Sequence, residues 1–149
     1  MRSRRTRAGI GINVEQAESE TLGVFARAGI ADGQIEPYDF TDIDRTAQAG
    51  LSLRGAGWGR GGDTLGAVVI VNAISRAHQR YLDAGGLGVL VGDGRLSNPG
   101  AERIGEAYYK VAAARGVDLT VDYQFIANPG YNRDRGPANV FAFRAHGAF

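Results

Sequence analysis

Alternation with a period of two runs along most of the chain and is clearest near its end. In residues 117–125, Val117, Leu119, Val121, Tyr123 and Phe125 share one face, while Asp118, Thr120, Asp122 and Gln124 share the other. That is the pattern of a strand with one apolar and one wet surface. Residues 139–149 repeat it, with Phe141, Phe143, Ala145, Gly147 and Phe149 opposed to Arg144 and His146. Five earlier segments follow the same rule with smaller side chains. Ile10, Ile12 and Val14 oppose Asn13 and Glu15; Val24, Ala26, Ala28 and Ile30 oppose Phe25 and Arg27; Ala47, Ala49, Leu51 and Leu53 oppose Gln48, Ser52 and Arg54. Leu65, Ala67, Val69 and Val71 form a fourth, and Gly105, Ala107, Tyr109 and Val111 oppose Glu106, Tyr108 and Lys110 in a fifth. The pattern predicts about seven strands of about ten residues each.

The connections alternate too. Residues 17–20, 57–62 and 115–116 are short, whereas 32–45, 73–100 and 128–136 are long. Strands of about 9–11 residues with short turns at one end and long loops at the other describe an antiparallel transmembrane β-barrel with periplasmic turns and extracellular loops. Its apolar faces would meet lipid and its polar faces would line a lumen. A soluble β-sandwich alternates as well, but its strands are typically shorter, about 5–6 residues. Aromatics placed towards strand ends, at Trp58, Tyr123, Phe125 and Phe149, also favour the barrel.

Residues 66–94 admit a different reading, a β-α-β unit of a soluble nucleotide-binding α/β enzyme, with Val68–Val71 and Leu87–Val91 as strands around a helical stripe of Ile74, Ala77, Tyr81 and Leu82. The junction that should cradle phosphate is Asn72-Ala73-Ile74-Ser75, without the glycines that this mechanism needs. A short helix within 73–86, in a loop, accounts for the same residues.

Composition narrows the function. Seventeen Lys plus Arg against sixteen Asp plus Glu leave a formal charge of +1 in 149 residues, which excludes a strongly basic nucleic-acid binder. The longest apolar run, Leu65–Val71, is far short of the roughly 20 residues of a membrane helix. The absence of cysteine removes thiolate chemistry and disulfides. The arginines of residues 2–7 precede no apolar core, so they read as a solvated loop rather than a leader. His78 and His146 stand alone, so no metal is expected. Asp42 and Asp44, and Asn132 with Asp134, are expected to order loops by pairing with Arg45, Arg133 or Arg135. No catalytic constellation stands out, and no cofactor is expected. The 23 glycines are the anomaly. Gly9, Gly11, Gly29, Gly50 and Gly66 are expected on lumen-facing or bend positions, leaving room for solute.

The final third carries a resemblance. Leu119-Thr-Val-Asp-Tyr-Gln-Phe-Ile-Ala-Asn-Pro-Gly-Tyr-Asn-Arg-Asp-Arg-Gly-Pro137, followed by a strand ending Phe143-Arg-Ala-His-Gly-Ala-Phe149, resembles the C-terminus of carbohydrate-selective outer-membrane porins of the OprB family. Phe25-Ala-Arg27 with Asp32-Gly33, Trp58-Gly-Arg60 with Asp63, Tyr81-Leu82 with Ala84-Gly-Gly86, Gly92-Asp-Gly94 and Glu106-Ala-Tyr-Tyr109 resemble it in order upstream. The resemblance implies residence in the bacterial outer membrane, lipid around the barrel and passive diffusion of sugars such as monosaccharides, with no enzymatic step. The family's barrel is of the class with about 16 strands, so residues 1–149 read as its C-terminal part, with the N-terminal half as a missing partner. Phe149, with Phe141 and Phe143 before it, resembles the signal read by the barrel assembly machinery. An adhesive or structural outer-membrane barrel is the remaining alternative.

The expected lumen side chains are Arg27, Arg54, Lys110 and Arg144 against Glu15, Glu106, Asp118 and Asp122. With Asn13, Gln48, Tyr108 and Gln124 they make a mixed-charge wall that suits neutral sugars better than anions. Arg27, Glu106 and Arg144 are the first candidates for sugar contact, and Arg54, Tyr108, Lys110, Asp122 and Gln124 complete the candidate set.

Overall fold

A computed structural model describes residues 6–35, 42–88 and 94–148. Among the described residues are seven strands: β1 (Gly9–Ala17), β2 (Leu22–Ala31), β3 (Arg45–Gly55), β4 (Arg60–Ala73), β5 (Glu102–Ala114), β6 (Val117–Ala127) and β7 (Ala138–Gly147). They form one sheet in chain order, each strand antiparallel to its neighbours. The expected all-β fold of about seven long antiparallel strands is therefore the observed one, as an open sheet. The α/β reading fails because Val68–Val71 belong to β4 and pair antiparallel with both β3 and β5. The helix within it is real but short, α1 (Arg76–Asp83), lying between β4 and β5.

The register makes the alternation continuous across strands. Ile12, Ala28, Ala47 and Val71 pair in succession, as do Val14, Ala26, Ala49, Val69, Gly105 and Phe125. Over the middle of the strands this outer face is apolar and exposed, with Phe141 and Phe143 79% and 67% accessible, while Arg45 and Arg103 join it at the long-loop end. Tyr123 sits in mid-strand rather than near a strand end, and its ring packs against Phe141 with centroids 4.9 Å apart. Strands of 9 to 14 residues suit a tilted crossing of the bilayer, since ten residues reach about 33 Å at about 3.3 Å each.

At the short-turn end, β5 and β6 join through Arg115-Gly116 alone, and Gly116 takes φ 74°, where a side chain is strained. β4 begins at Arg60, inside the stretch expected to be a turn. There Asp63 accepts from Arg60, from the Tyr109 hydroxyl at 2.6 Å and from the Ala112 amide at 3.0 Å. That amide lies where the β5–β6 register shifts, and such irregularities leave donors in need of partners. Trp58 Nε1 donates to Tyr109 at 2.9 Å and completes the group.

Burial is concentrated at the opposite end. Among the described residues the buried apolar side chains are Leu82, Leu96 and Tyr131, with Ile74 packed against them. All four lie in the long connections. Gly100 N donates to Tyr131 O at 2.8 Å and Arg133 N to Asn98 O at 2.8 Å, tying residues 94–101 to 128–137. Burial and the nearby carboxylates of Glu102, Asp42 and Asp44 push the Tyr131 hydroxyl pKa up. Asp134, expected to pair with an arginine, accepts from Ser97 Oγ at 2.5 Å and Asn98 Nδ2 at 3.2 Å, and these bonds hold its carboxyl below the usual value.

Asp44 is the polar hub of this end. It is 2% exposed and accepts from Arg7, from the Ser75 amide at 2.7 Å and from His78 Nδ1 at 3.0 Å. His78 is thus not alone, and Arg7 is not a solvated charge; residues 2–5 of the basic run lie outside the described residues. Asp44 pairs with these groups rather than with Arg45 because Arg45 starts β3 and falls on the outer-face rung with Ile30. Ser75 also caps α1 by accepting from His78 N at 3.0 Å. Removing a partner from a buried ionic group leaves the others uncompensated, at about 3–5 kcal/mol. Asp44→Ala is expected to speed hydrogen exchange across 74–88 and 94–101 while leaving β5–β7 amides protected. Unchanged exchange in those loops would show that the hub does not hold them.

Candidate functional site

The wet face is ordered by the same register. One rung of paired residues runs Arg54, Thr64, Lys110, Thr120, Arg144 across β3 to β7, so three cations alternate with two threonines. The next rung contains Gly66, Tyr108, Asp122 and Ala142, and the one beyond it Glu15, Phe25, Gly50, Val68, Glu106, Gln124 and Val140. Acidic and basic groups therefore occupy neighbouring rungs, close enough for a solute to touch both.

These side chains enclose a groove of about 520 Å³ on the inner wall, lined by Glu106, Tyr108, Lys110, Asp122, Gln124 and Arg144 together with Thr64 and Thr120. Six of the eight candidate contact residues thus come together. Lys110 Nζ lies 3.7 Å from Asp118, and Gln124 Nε2 donates to Asp122 at 3.3 Å. Among the described residues no hydrogen bond or ion pair engages the side chain of Arg144 or Arg54; the Arg54 amide donates to Thr21 O at 2.8 Å. Arg54 begins the basic rung but lies apart from the groove, beside Ser19, Glu20 and Thr21 at the first short turn. Arg27 also lies apart, on the rung with Asn13 and Gln48. Phe149 lies outside the described residues.

The five singled-out glycines share the face of the polar residues, with Gly11 and Gly29 paired on the Thr46 rung, Gly50 on the Glu15 rung and Gly66 on the Ser52 rung. For two of them the structure corrects the reason. A Cβ at Gly66 would collide with the Tyr108 ring, and one at Gly50 would stand 2.5 Å from Phe25 Cε1. These positions make room for aromatic rings laid along the wall, not for solute. Sequence spacing alone did not reveal this, since each glycine becomes the cross-strand partner of an aromatic only through the strand register.

At the long-loop end, Thr46 Oγ1 donates to Asn72 Oδ1 at 2.9 Å, Asn72 Nδ2 to Glu102 at 3.5 Å, and the Gly130 amide to Glu102 at 2.9 Å. This chain of bonds carries the 128–137 connection on the inner rung, so the loop cluster borders the wet face. Among the described residues no group of three or more His, Asp or Glu could hold a metal ion.

The family model for carbohydrate-selective porins, OprB, matches residues 2–149. The high-pH structure of Pseudomonas putida OprB superposes with a TM-score of 0.67 at 20% identity, covering 86% of this chain and 30% of that one. No curated protein matches the sequence at a significant level. The chain spans under a third of the solved protein it resembles.

The Gly66 contact yields a direct test. Gly66→Ala should destabilise the folded sheet by about 1–3 kcal/mol, the usual cost of overpacking. In a Tyr108→Ala background the same change should cost almost nothing. A penalty that persists without the ring, measured by denaturant unfolding in detergent, would show that Tyr108 is not what Gly66 accommodates.

Proposed function

The chain belongs to the carbohydrate-selective porin family, OprB, and we propose that it forms part of an outer-membrane barrel through which neutral sugars such as monosaccharides diffuse without a catalytic step. The observation that carries this reading is the inner-wall groove, where donors and acceptors of both signs stand on adjacent rungs. A sugar leaving bulk water needs its hydroxyls met by donors and acceptors together, whereas an anion pore would present one sign. Lys110 and Arg144 supply donors, Glu106 and Asp122 acceptors, and Tyr108 and Gln124 both.

The exposed apolar face is the natural contact for lipid, and antiparallel pairing satisfies the main chain there without water. The short turns would then lie on the periplasmic side and the long loops outside. Phe141 and Phe143 stand exposed on β7, the terminal strand of the sheet. With Phe149 they form the segment we assign to recognition by the barrel assembly machinery, which works through strand pairing at an open edge. The strands that close the barrel are the chain's obligatory partner.

In the closed porin, Arg144→Ala should change the rate of sugar-driven liposome swelling by a few fold while leaving heat-modifiable insertion intact. Deleting Phe149 should reduce assembly before transport is affected. Swelling that excludes monosaccharides altogether would replace the porin by a plugged, structural barrel. Equal swelling rates would remove Arg144 from the wall's working residues.

A further inference from the structure

Arg27 is the one arginine of the inner wall whose guanidinium is held on three sides among the described residues. Nε donates to Asn13 Oδ1 at 2.7 Å, Nη2 donates to Glu15 Oε1 at 2.8 Å, and Cζ lies 5.1 Å from the centroid of the Phe25 ring. Asn13 Nδ2 in turn donates to Glu15 Oε1 at 3.2 Å, so the two acceptors are themselves linked.

Phe25 has no reason of patterning to occupy a wet face. Its place follows from Gly50, the residue paired with it on β3. A Cβ there would stand 2.5 Å from Phe25 Cε1 and 2.7 Å from the Ala67 carbonyl oxygen. Only a glycine leaves the ring space to lie along the wall, and only in that position does the ring support the guanidinium. Glycine, ring and arginine are one built unit on neighbouring strands.

The unit has a defined chemistry. A guanidinium carries five N–H donors in a planar fork; the two bonds named leave three for a ligand. The Glu15 carboxylate neutralises the charge and adds a second, unshared oxygen as acceptor. A net-neutral edge with fixed donors and an acceptor favours polyhydroxylated neutral solutes over anions. Holding the fork beforehand removes the rotamer entropy that a free arginine loses on binding. Arg54 and Arg144, whose side chains are not engaged among the described residues, lack that advantage.

The geometry points to Arg27 as a preorganised contact for sugar hydroxyls, separate from the groove of Lys110 and Arg144, with Phe25 and Gly50 as positioning residues that set its affinity. The inference rests on the sugar-channel reading given above. It differs from that reading in requiring the planar fork and its support, not charge alone.

The test is ion current through the closed porin in planar bilayers, with glucose titrated to obtain an apparent Kd from the fall in current. Phe25→Leu and Gly50→Ala should weaken glucose binding by about 2- to 5-fold, the scale of an exposed cation–π contact. Arg27→Lys keeps the charge but loses the fork, and should weaken binding at least as much. Sugar-free conductance of Phe25→Leu should match wild type. Wild-type glucose affinity in Arg27→Lys and Phe25→Leu would overturn the inference alone. Conductance and glucose response lost together in both variants would also overturn it, by assigning these residues to folding. If Gly50→Ala fails to insert, the other two variants decide. A wild-type current indifferent to glucose would instead overturn the sugar-channel reading, and this inference with it.

Discussion

Main-chain hydrogen bonding between neighbouring strands is the interaction on which everything else here depends. The sheet carries no packed layer on either face among the described residues, and its buried apolar side chains sit in the loops instead. What holds Gly9–Ala17 next to Leu22–Ala31, and so on to Gly147, is a continuous antiparallel ladder whose register shifts only near the short-turn end, at Gly55 and between Ala112 and Ala114. In a hydrocarbon environment such a ladder is compulsory, because an unpaired amide or carbonyl there costs several kcal/mol. Register then follows from the faces, since a slip by one residue would turn Phe141 and Phe143 inward and Arg144 outward.

Because register is fixed, function can be arranged in rungs rather than in sequence. Arg54, Lys110 and Arg144 are far apart along the chain yet lie on one line of pairs, with Thr64 and Thr120 between them. The threonines keep the three cations two strands apart, where a direct cross-strand pair of like charges would be destabilising. The neighbouring rungs bring Asp122 and Glu106 within reach, which limits the field each cation would otherwise project along the wall.

The alternation was legible because a half-wet strand writes its face directly into the sequence. Val117 to Phe125 and Asn139 onward needed no tertiary information, and the short helix 76–83 announced itself by its spacing. Six groove residues could be assigned to one face by parity alone. What stayed hidden were contacts across long separations. Asp44 meets His78 34 residues away and Arg7 37 residues away, so the histidine looked isolated and the arginine solvated. The glycines were read correctly for face but not for purpose, because the Tyr108–Gly66 and Phe25–Gly50 pairs exist only once the register is known. Arg27 and Arg54 parted from the groove for the same reason, since parity gives the face but not the position along it.

The sheet's two edges carry a last constraint. With seven antiparallel strands, the outermost, β1 and β7, run in the same direction. Joining them directly would make a parallel pair, which a meander linked by short turns cannot produce without a long crossover. Closure with every neighbour antiparallel therefore requires an odd number of further strands, which brings the total to the even count of bacterial barrels. The same parity places β7's exposed phenylalanines at one open edge and Arg27's support, through Asn13 and Glu15 on β1, at the other. In a closed wall, the strand pairing with β1 would sit beside the arginine that the sheet has already fixed in place.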